Sequence, residues 1–112
     1  MTLTVDVYIR MPNNDLERLE LPSDLAGFES TRYTFYGSDF AKSMGLKLFP
    51  LLAEEYWFEF EGDELDELRR EAVMLYEHVI ETEVGGYWAF RINNILNAID
   101  AARHFDGLVR IW

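Results

Sequence analysis

The two histidines are the side chains of this sequence best suited to proton transfer near neutral pH. His104 lies four residues after Asp100, a spacing at which two helical side chains meet, and such a pair can orient an imidazole as a general base. His78 follows Glu77 and precedes Glu81 by three residues. Because no nucleophile accompanies either histidine, we interpret Asp100 and His104 as a surface pair near a helix end and expect no catalytic residues.

Four carboxylates within five residues raise the question of a metal site. Asp63, Glu64, Asp66 and Glu67 directly follow Gly62, and carboxylate oxygens are the ligands that Ca²⁺ and Mg²⁺ prefer. Their spacing lacks the alternating acids and the central glycine of an EF-hand loop, and within one helical turn the side chains point in different directions. The sequence also contains no cysteine and no glycine-rich phosphate loop. We therefore expect no metal site and no cofactor.

Three asparagines occur within five residues of the last predicted helix, although asparagine is a mediocre helix former. Asn93, Asn94 and Asn97 share one side of this helix with Asp100, opposite its isoleucines. They either present amides to a ligand or form a polar face that packs at its margins. We favour the second interpretation.

Nearly all of the net charge lies in one stretch of the sequence. Between Glu54 and Glu83 twelve acidic residues are accompanied by only two arginines, which gives −10 of the formal net charge of −11. A protein this acidic is repelled by nucleic-acid phosphates and by anionic lipids, and it attracts basic partners. We therefore expect a basic protein partner, no direct binding to nucleic acid and no membrane association.

Aromatic and acidic residues alternate within this stretch, where residues 54–61 read EEYWFEFE. A strand here would direct Phe58 and Phe60 to one side and the residues between them to the other. One interpretation is an ordinary half-buried strand. The other is that aromatic side chains among carboxylates form a binding hot spot for a basic partner. The predicted partner-binding residues are Tyr56, Trp57, Glu59, Glu61, Asp63, Glu64, Asp66 and Glu67.

The composition is typical of one folded domain. Of the 112 residues 49% are apolar and 15% are aromatic, enough to offset the entropy of ordering the chain. We predict a single domain over residues 1–112. The N-terminus lacks the basic start and apolar run of a signal peptide, and no apolar run approaches the about 20 residues that span a bilayer. The lack of cysteine fits a reducing compartment, so we expect a cytoplasmic protein.

Four segments have the pattern of strands. Residues 2–10 alternate between apolar and polar side chains, and residues 57–61 alternate as described above. Residues 32–36 are rich in aromatic and β-branched side chains, and residues 108–112 are predicted to form a short closing strand. Residues 16–21 fit either a strand or a helical turn.

The helical segments are marked by apolar periodicity and by residues that favour helix starts. Ser38 is predicted to cap the first helix, Pro50 to open the second and Asp63 to begin the third. The segment from Pro22 to Gly27 is predicted to be a loop. The predicted helices span residues 39–45, 50–56, 63–81 and 89–105.

These elements predict an α+β fold with two layers. A short, mostly antiparallel sheet packs against two long amphipathic helices, at residues 63–81 and 89–105. The C-terminal strand is expected to pair with the first or the second strand.

The leading functional hypothesis is a non-enzymatic interaction protein. Its acidic surface would bind and block a basic protein partner, in the way that immunity proteins block the cationic active sites of bacterial toxin nucleases. The local charge of −10 and the missing catalytic signature support this class. No motif places the chain in a named family.

Three alternatives remain open. A pocket between the sheet and the helices would make the protein a small-ligand-binding or enzymatic domain. Alternatively, carboxylates in two rows would imitate the phosphates of a duplex. Trp88 and Trp112 could form an apolar patch that supports a homodimer. The candidate pocket residues are Tyr33, Tyr36, Asn94, Asp100 and His104.

Overall fold

The computed structural model describes residues 2–54, 58–82 and 86–112, and it shows the predicted α+β fold. Its strands are β1 (Thr2–Arg10), β2 (Leu16–Leu19), β3 (Leu25–Phe28), β4 (Phe58–Glu61) and β5 (Leu108–Ile111). Its α-helices are α1 (Asp39–Ser43), α2 (Asp63–Thr82) and α3 (Tyr87–His104). Between β3 and β4 the chain also forms a π-helical turn at Arg32–Tyr36 and a 3₁₀-helix at Phe49–Ala53.

The sheet is antiparallel and is built around β1. Its strand order is β2-β1-β5-β4, and β3 pairs with the first residues of β1. The C-terminal strand β5 therefore pairs with the first strand, which was one of the two predicted arrangements. In this register Asp6 lies opposite Arg110, and Arg110 lies opposite Glu59.

One hydrophobic core fills the space between the sheet and the helices. Alternate residues of β1 point into it, as the period of two in the sequence predicted. Helices α2 and α3 each bury one apolar stripe at helical spacing. The buried residues of these elements include Leu3, Val5, Val7, Val109, Ile111, Leu65, Leu68, Ala72, Leu75, Val79, Ile92, Ile95, Ala98, Ile99 and Ala102.

Helices α2 and α3 run antiparallel, and ion pairs join the start of α2 to the end of α3. Arg69 Nε lies 3.0 Å from Asp100 Oδ1, and Arg103 Nη2 lies 3.3 Å from Asp66 Oδ1. Both helices begin and end within about two residues of their predicted bounds. No helix of the described ranges is long and apolar enough to cross a membrane.

The strand predicted at residues 32–36 is wrong, because this segment forms the π-helical turn. Arg32 is buried and donates to Glu29 Oε1 at 2.6 Å, and the hydroxyl of buried Tyr36 donates to the carbonyl of Ala26 at 2.6 Å. These contacts anchor both ends of the segment on the interior side. A strand would place residues four apart about 13 Å from each other, which is longer than a helical turn.

The structure also differs from the predictions for the segments on either side of this turn. The loop or single turn expected at residues 22–27 overlaps strand β3, whose pairing with β1 depends on backbone groups and not on a side-chain pattern. The turn or helix expected near residues 50–56 is a 3₁₀-helix at Phe49–Ala53, with Pro50 in its first turn, and residues 55–56 of that prediction lie outside the described residues.

Candidate functional site

The structure places the predicted partner-binding residues along one continuous segment. Glu59 and Glu61 lie on β4, which leads through Gly62 directly into α2. The positive φ of Gly62 (62°) turns the chain from the strand into the helix. The predicted Tyr56 and Trp57 lie outside the described residues. We call the remaining six the acidic surface: Glu59, Glu61, Asp63, Glu64, Asp66 and Glu67.

The two glutamates of β4 are paired with arginines of β5, the adjacent strand, and of β1, the next strand in the sheet. Arg110 Nη2 lies 3.3 Å from Glu59 Oε2, and Arg10 Nη2 donates to both carboxylate oxygens of Glu61, at 3.0 and 3.2 Å. The sheet therefore neutralises part of the charge that the sequence places here. Only the long-range register of β1 and β5 brings these arginines to β4.

Two of the acids on α2 are also paired. Asp66 binds Arg103 of α3, and the Glu67 carboxylate accepts from Arg70 Nη2 at 2.6 Å and from Arg70 Nε at 2.9 Å. The hydrogen bond from the Arg70 guanidinium, together with one from the carboxyl of Glu71, lowers the pKa of Glu67 to about 2. Glu67 therefore stays ionised at every pH well above 2.

Asp63 and Glu64 differ from the other four residues of the acidic surface. Both side chains are exposed, and within the described part of the chain neither forms an ion pair or a side-chain hydrogen bond. They occupy the first turn of α2, where the positive end of the helix dipole stabilises negative charge. Their full charge is available to a partner without the loss of an existing contact.

Glu71 belongs to the acidic block of the sequence but not to the surface. It is completely buried, and its carboxylate accepts from the backbone N–H groups of Lys47, Leu48 and Phe49 at 3.0 to 3.2 Å. Burial raises the pKa of Glu71, against the opposing effect of these backbone donors. Its position between Leu68 and Leu75 on the apolar stripe was the one sequence signal for this role.

The face of the sheet that points away from the helices was not recognised from the sequence. There Asp6 is only 4% exposed, and it accepts from Trp112 Nε1 at 2.6 Å and pairs with Arg18 Nη2 at 2.9 Å. The guanidinium of Arg110 lies over the rings of Tyr8 and Trp112, 4.4 and 5.1 Å from their centroids. The period of two in β1, β4 and β5 could have grouped these residues on one face.

The candidate pocket residues do not converge on one cavity. Tyr36 and Asn94 are buried, and their side chains donate to the carbonyls of Ala26 and Leu25 in β3. Tyr33 is exposed on the π-helical turn. A surface depression lies elsewhere, along Met11–Glu17 at the tip of the β1–β2 hairpin.

Asp100 and His104, the pair considered from the sequence, each contact a different side chain. Asp100 binds Arg69, whereas the ring of exposed His104 contacts the ring of Phe105. The ring of His78 lies 4.5 Å from that of Phe40. Among the described residues no group of three or more His, Cys, Asp or Glu side chains is arranged to hold a metal ion.

The three asparagines of α3 have different surroundings, and so have Trp88 and Trp112. Asn94 donates to Ser23 Oγ as well as to β3, whereas Asn93 and Asn97 are exposed. Trp88 stacks on a phenylalanine on the helical side of the sheet, while Trp112 lies on the opposite face. The two tryptophans do not form one patch.

Comparison with protein-family models, with curated proteins and with solved structures gave no match to this chain. Its function is therefore inferred from the geometry and the charge of its own surface.

Proposed function

We propose that this protein is a non-enzymatic interaction module whose acidic surface binds and blocks a basic protein partner. The observation that carries the proposal is the pair of exposed carboxylates at the start of α2, Asp63 and Glu64, which form no ion pair with any of the described residues. They lie beside four further carboxylates in a protein with a formal net charge of −11.

The ion pairs of the surface divide its residues into two groups. A partner that binds Glu59, Glu61, Asp66 or Glu67 has to compete with an arginine already in place. Asp63 and Glu64 require no such exchange, so their contacts with a lysine or arginine add directly to affinity. The remaining acids contribute to the long-range field that accelerates association with a basic protein.

Blocking is the activity that this charge distribution suits. Enzymes that act on nucleic acids attract phosphates with basic clefts, and an acidic protein fits such a cleft by the same electrostatic rule. The protein itself is repelled by nucleic acid, so it competes for the enzyme and not for the substrate. The proposed mode of action is that of the immunity proteins that block bacterial toxin nucleases.

The test compares two double variants that change net charge equally on the same helix. Asp63→Asn/Glu64→Gln removes the unpaired carboxylates, and Glu77→Gln/Glu81→Gln removes two exposed carboxylates near the other end of α2. Tagged wild-type and variant proteins are used for affinity capture from the native lysate, with quantitative mass spectrometry, at low salt and at about 0.5 M salt.

We expect one basic protein to be captured by the wild type and by the Glu77/Glu81 variant at low salt. The Asp63/Glu64 variant should recover it about tenfold less, because the loss of two exposed ion pairs that contribute about 0.7 kcal/mol each raises the dissociation constant about tenfold. High salt should weaken all captures. Equal recovery by both variants would show that the start of α2 is not the binding surface.

A further inference from the structure

Strand β4 forms one edge of the sheet. It pairs with β5 on one side, and no other described strand pairs with it, so we call its other side the open edge. The register with β5 runs from Phe58 to Glu61 without a bulge, and the strand contains neither proline nor lysine. Proline, lysine and bulges are common means by which proteins keep a sheet edge from pairing with another chain. The described part of β4 has none of the three.

The pairing of β5 with β1 shows which residues of β5 bind β4. Thr4 N–H donates to the carbonyl of Trp112 at 2.8 Å, and Trp112 N–H donates to the carbonyl of Thr4 at 3.0 Å. Trp112 therefore directs its backbone groups towards β1. Because this direction alternates along a strand, Ile111 and Val109 direct theirs to the other side, towards β4.

The same alternation identifies the residues of β4 whose backbone faces the open edge. Phe58 and Phe60 lie opposite these two residues of β5 and bind them. The backbone N–H and C=O groups of Glu59 and Glu61 therefore point away from β5. Among the described residues neither glutamate has a further backbone partner. The open edge thus presents a donor and an acceptor from each glutamate, at the spacing that an added antiparallel strand requires.

The side chains on the two faces of β4 differ in chemistry. Glu59 and Glu61 lie on the face of the sheet that points away from the helices, with side chains 30% and 52% exposed. On the opposite face Phe60 is buried and stacks beside half-buried Phe58, with ring centroids 6.2 Å apart. An added strand meets the carboxylates on one face and the ring of Phe58 on the other. A strand in which basic and apolar residues alternate matches both faces.

The carboxylates at the open edge retain capacity for a basic side chain. Arg110 binds Glu59 Oε2 at 3.3 Å from β5, which is the side opposite to the open edge. A carboxylate accepts about four hydrogen bonds, so Glu59 can bind a second cation. Asp63 and Glu64 follow β4 directly and add two exposed carboxylates that form no ion pair with any described residue.

Two other pairings fit less well. A second copy of β4 in antiparallel orientation would place Glu59 opposite its own copy or opposite Glu61, and like charges directly opposite each other destabilise a sheet. Two copies with a formal net charge of −11 each also repel as whole molecules. At the opposite edge of the sheet, β2 contains one acid and one base, Glu17 and Arg18, so it presents no net charge. Strand β4 is therefore the edge that selects by charge.

We propose that the open edge of β4 binds a strand of the basic partner in which lysine or arginine alternates with apolar residues. This inference rests on the proposed function, since it states how the acidic surface holds that partner. The backbone groups of Glu59 and Glu61 form a ladder with the added strand, which extends the sheet. Its basic side chains lie beside the two carboxylates, and an apolar side chain covers the ring of Phe58.

The test adds a capped hexapeptide of alternating lysine and valine to the isotope-labelled full chain. Binding and backbone hydrogen exchange are followed by NMR at the amides of Glu59, Glu61, Asp63 and Glu64. The control peptide contains the same residues as one block of lysines and one block of valines. It has the same charge, but it cannot present lysine on one face and valine on the other along the whole strand.

Two variants of the same residue separate the backbone from the charge. Glu59→Gln removes the charge alone. Glu59→Pro also removes the N–H group that points to the open edge, while the hydrogen bonds to β5 are retained because Glu59 contributes none of them. Melting temperatures show whether both variants fold. If Glu59→Pro does not fold, the exchange of the wild-type amides decides.

We expect the alternating peptide to slow hydrogen exchange at the amides of Glu59 and Glu61, and the block peptide to leave it unchanged. Glu59→Gln should weaken binding of the alternating peptide about threefold, as for one exposed ion pair. Glu59→Pro should weaken it about fivefold further, because a backbone hydrogen bond is lost.

Three results would overturn the strand pairing and leave the proposed function in place. They are no binding of the alternating peptide, shifts at Asp63 and Glu64 without slower exchange at Glu59 and Glu61, and equal binding to folded Glu59→Gln and Glu59→Pro. The proposed function fails by a different result, namely capture of the partner that does not change in Asp63→Asn/Glu64→Gln.

Discussion

Glu67 and Glu71 are four residues apart on α2, yet their carboxyls have opposite environments. The Glu67 carboxylate faces the Arg70 guanidinium at the surface, whereas Glu71 is buried against backbone N–H groups. Burial is the main cause that raises the pKa of Glu71, and the hydrogen bond from the Arg70 guanidinium is the main cause that lowers the pKa of Glu67. A hydrogen bond between the two carboxyls adds to both shifts. In a count of charges the two residues are equal members of the acidic block. In the fold, however, Glu67 is a surface charge, whereas Glu71 binds backbone N–H groups in the interior.

Replacing Glu67 by Gln should give a stability difference that depends on pH. Because the pKa of Glu67 is lowered from 4.5 to about 2 in the folded protein, its carboxylate stabilises the fold above pH 4.5 and loses this effect as the pH falls towards 2. The melting temperature of wild type should therefore exceed that of Glu67→Gln at pH 6, and the difference should shrink towards pH 2. In an Arg70→Gln background the same substitution should show much less pH dependence. A difference that stays constant with pH would contradict the role given to Arg70.

At the level of the elements, one side chain connects α2 to the 3₁₀-helix Phe49–Ala53. The N–H groups at the start of a helix have no acceptor in the helix itself. Here the Glu71 carboxylate of α2 accepts from the N–H groups of Lys47, Leu48 and Phe49. The contact joins segments more than 20 residues apart and takes place inside the protein. It fixes the chain that leads from the π-helical turn to β4.

Glu71→Ala should be among the most destabilising substitutions in this protein. It removes the acceptor of the N–H groups of Lys47, Leu48 and Phe49, and an unsatisfied buried group costs about 1–3 kcal/mol. We expect the free energy of unfolding in urea to fall by about 3 kcal/mol or more. The matched control Glu77→Ala, on the exposed side of the same helix, should change it by less than about 0.5 kcal/mol. Equal effects of the two substitutions would show that Glu71 does not hold the segment.

The sequence predicts the elements whose pattern is repeated over several turns or residues. The alternation in β1 and the apolar stripes of α2 and α3 are of this kind. The segment Arg32–Tyr36 could not be predicted, because its conformation depends on distant partners such as Leu52 and Ala26. The candidate site shows the same division: the positions of the acids follow from the sequence, whereas their pairing with arginines follows from strand register and helix packing.

At the level of the whole molecule, the charges are arranged asymmetrically. The acidic surface lies where α2 begins, whereas the first turn of α3, at the opposite end of the antiparallel helix pair, contains no acidic residue. The molecule is elongated, with extents of 45 × 27 × 27 Å. A partner that neutralises the acidic end therefore relieves repulsion as well as forming contacts.

This excess charge should make the free protein more stable at high salt. Screening weakens both the repulsion among the acids and the attraction within ion pairs. The ion pairs of the acidic surface and helices are mostly exposed, and such pairs contribute only about 0–1 kcal/mol each. Repulsion from a formal net charge of −11 acts over the whole surface, so its relief should dominate. We expect the melting temperature to rise between about 0.01 and 0.5 M NaCl and to rise less for Asp63→Asn/Glu64→Gln, which carries two fewer charges. A fall in the melting temperature with salt would mean that the ion pairs contribute more to stability than the acidic excess costs.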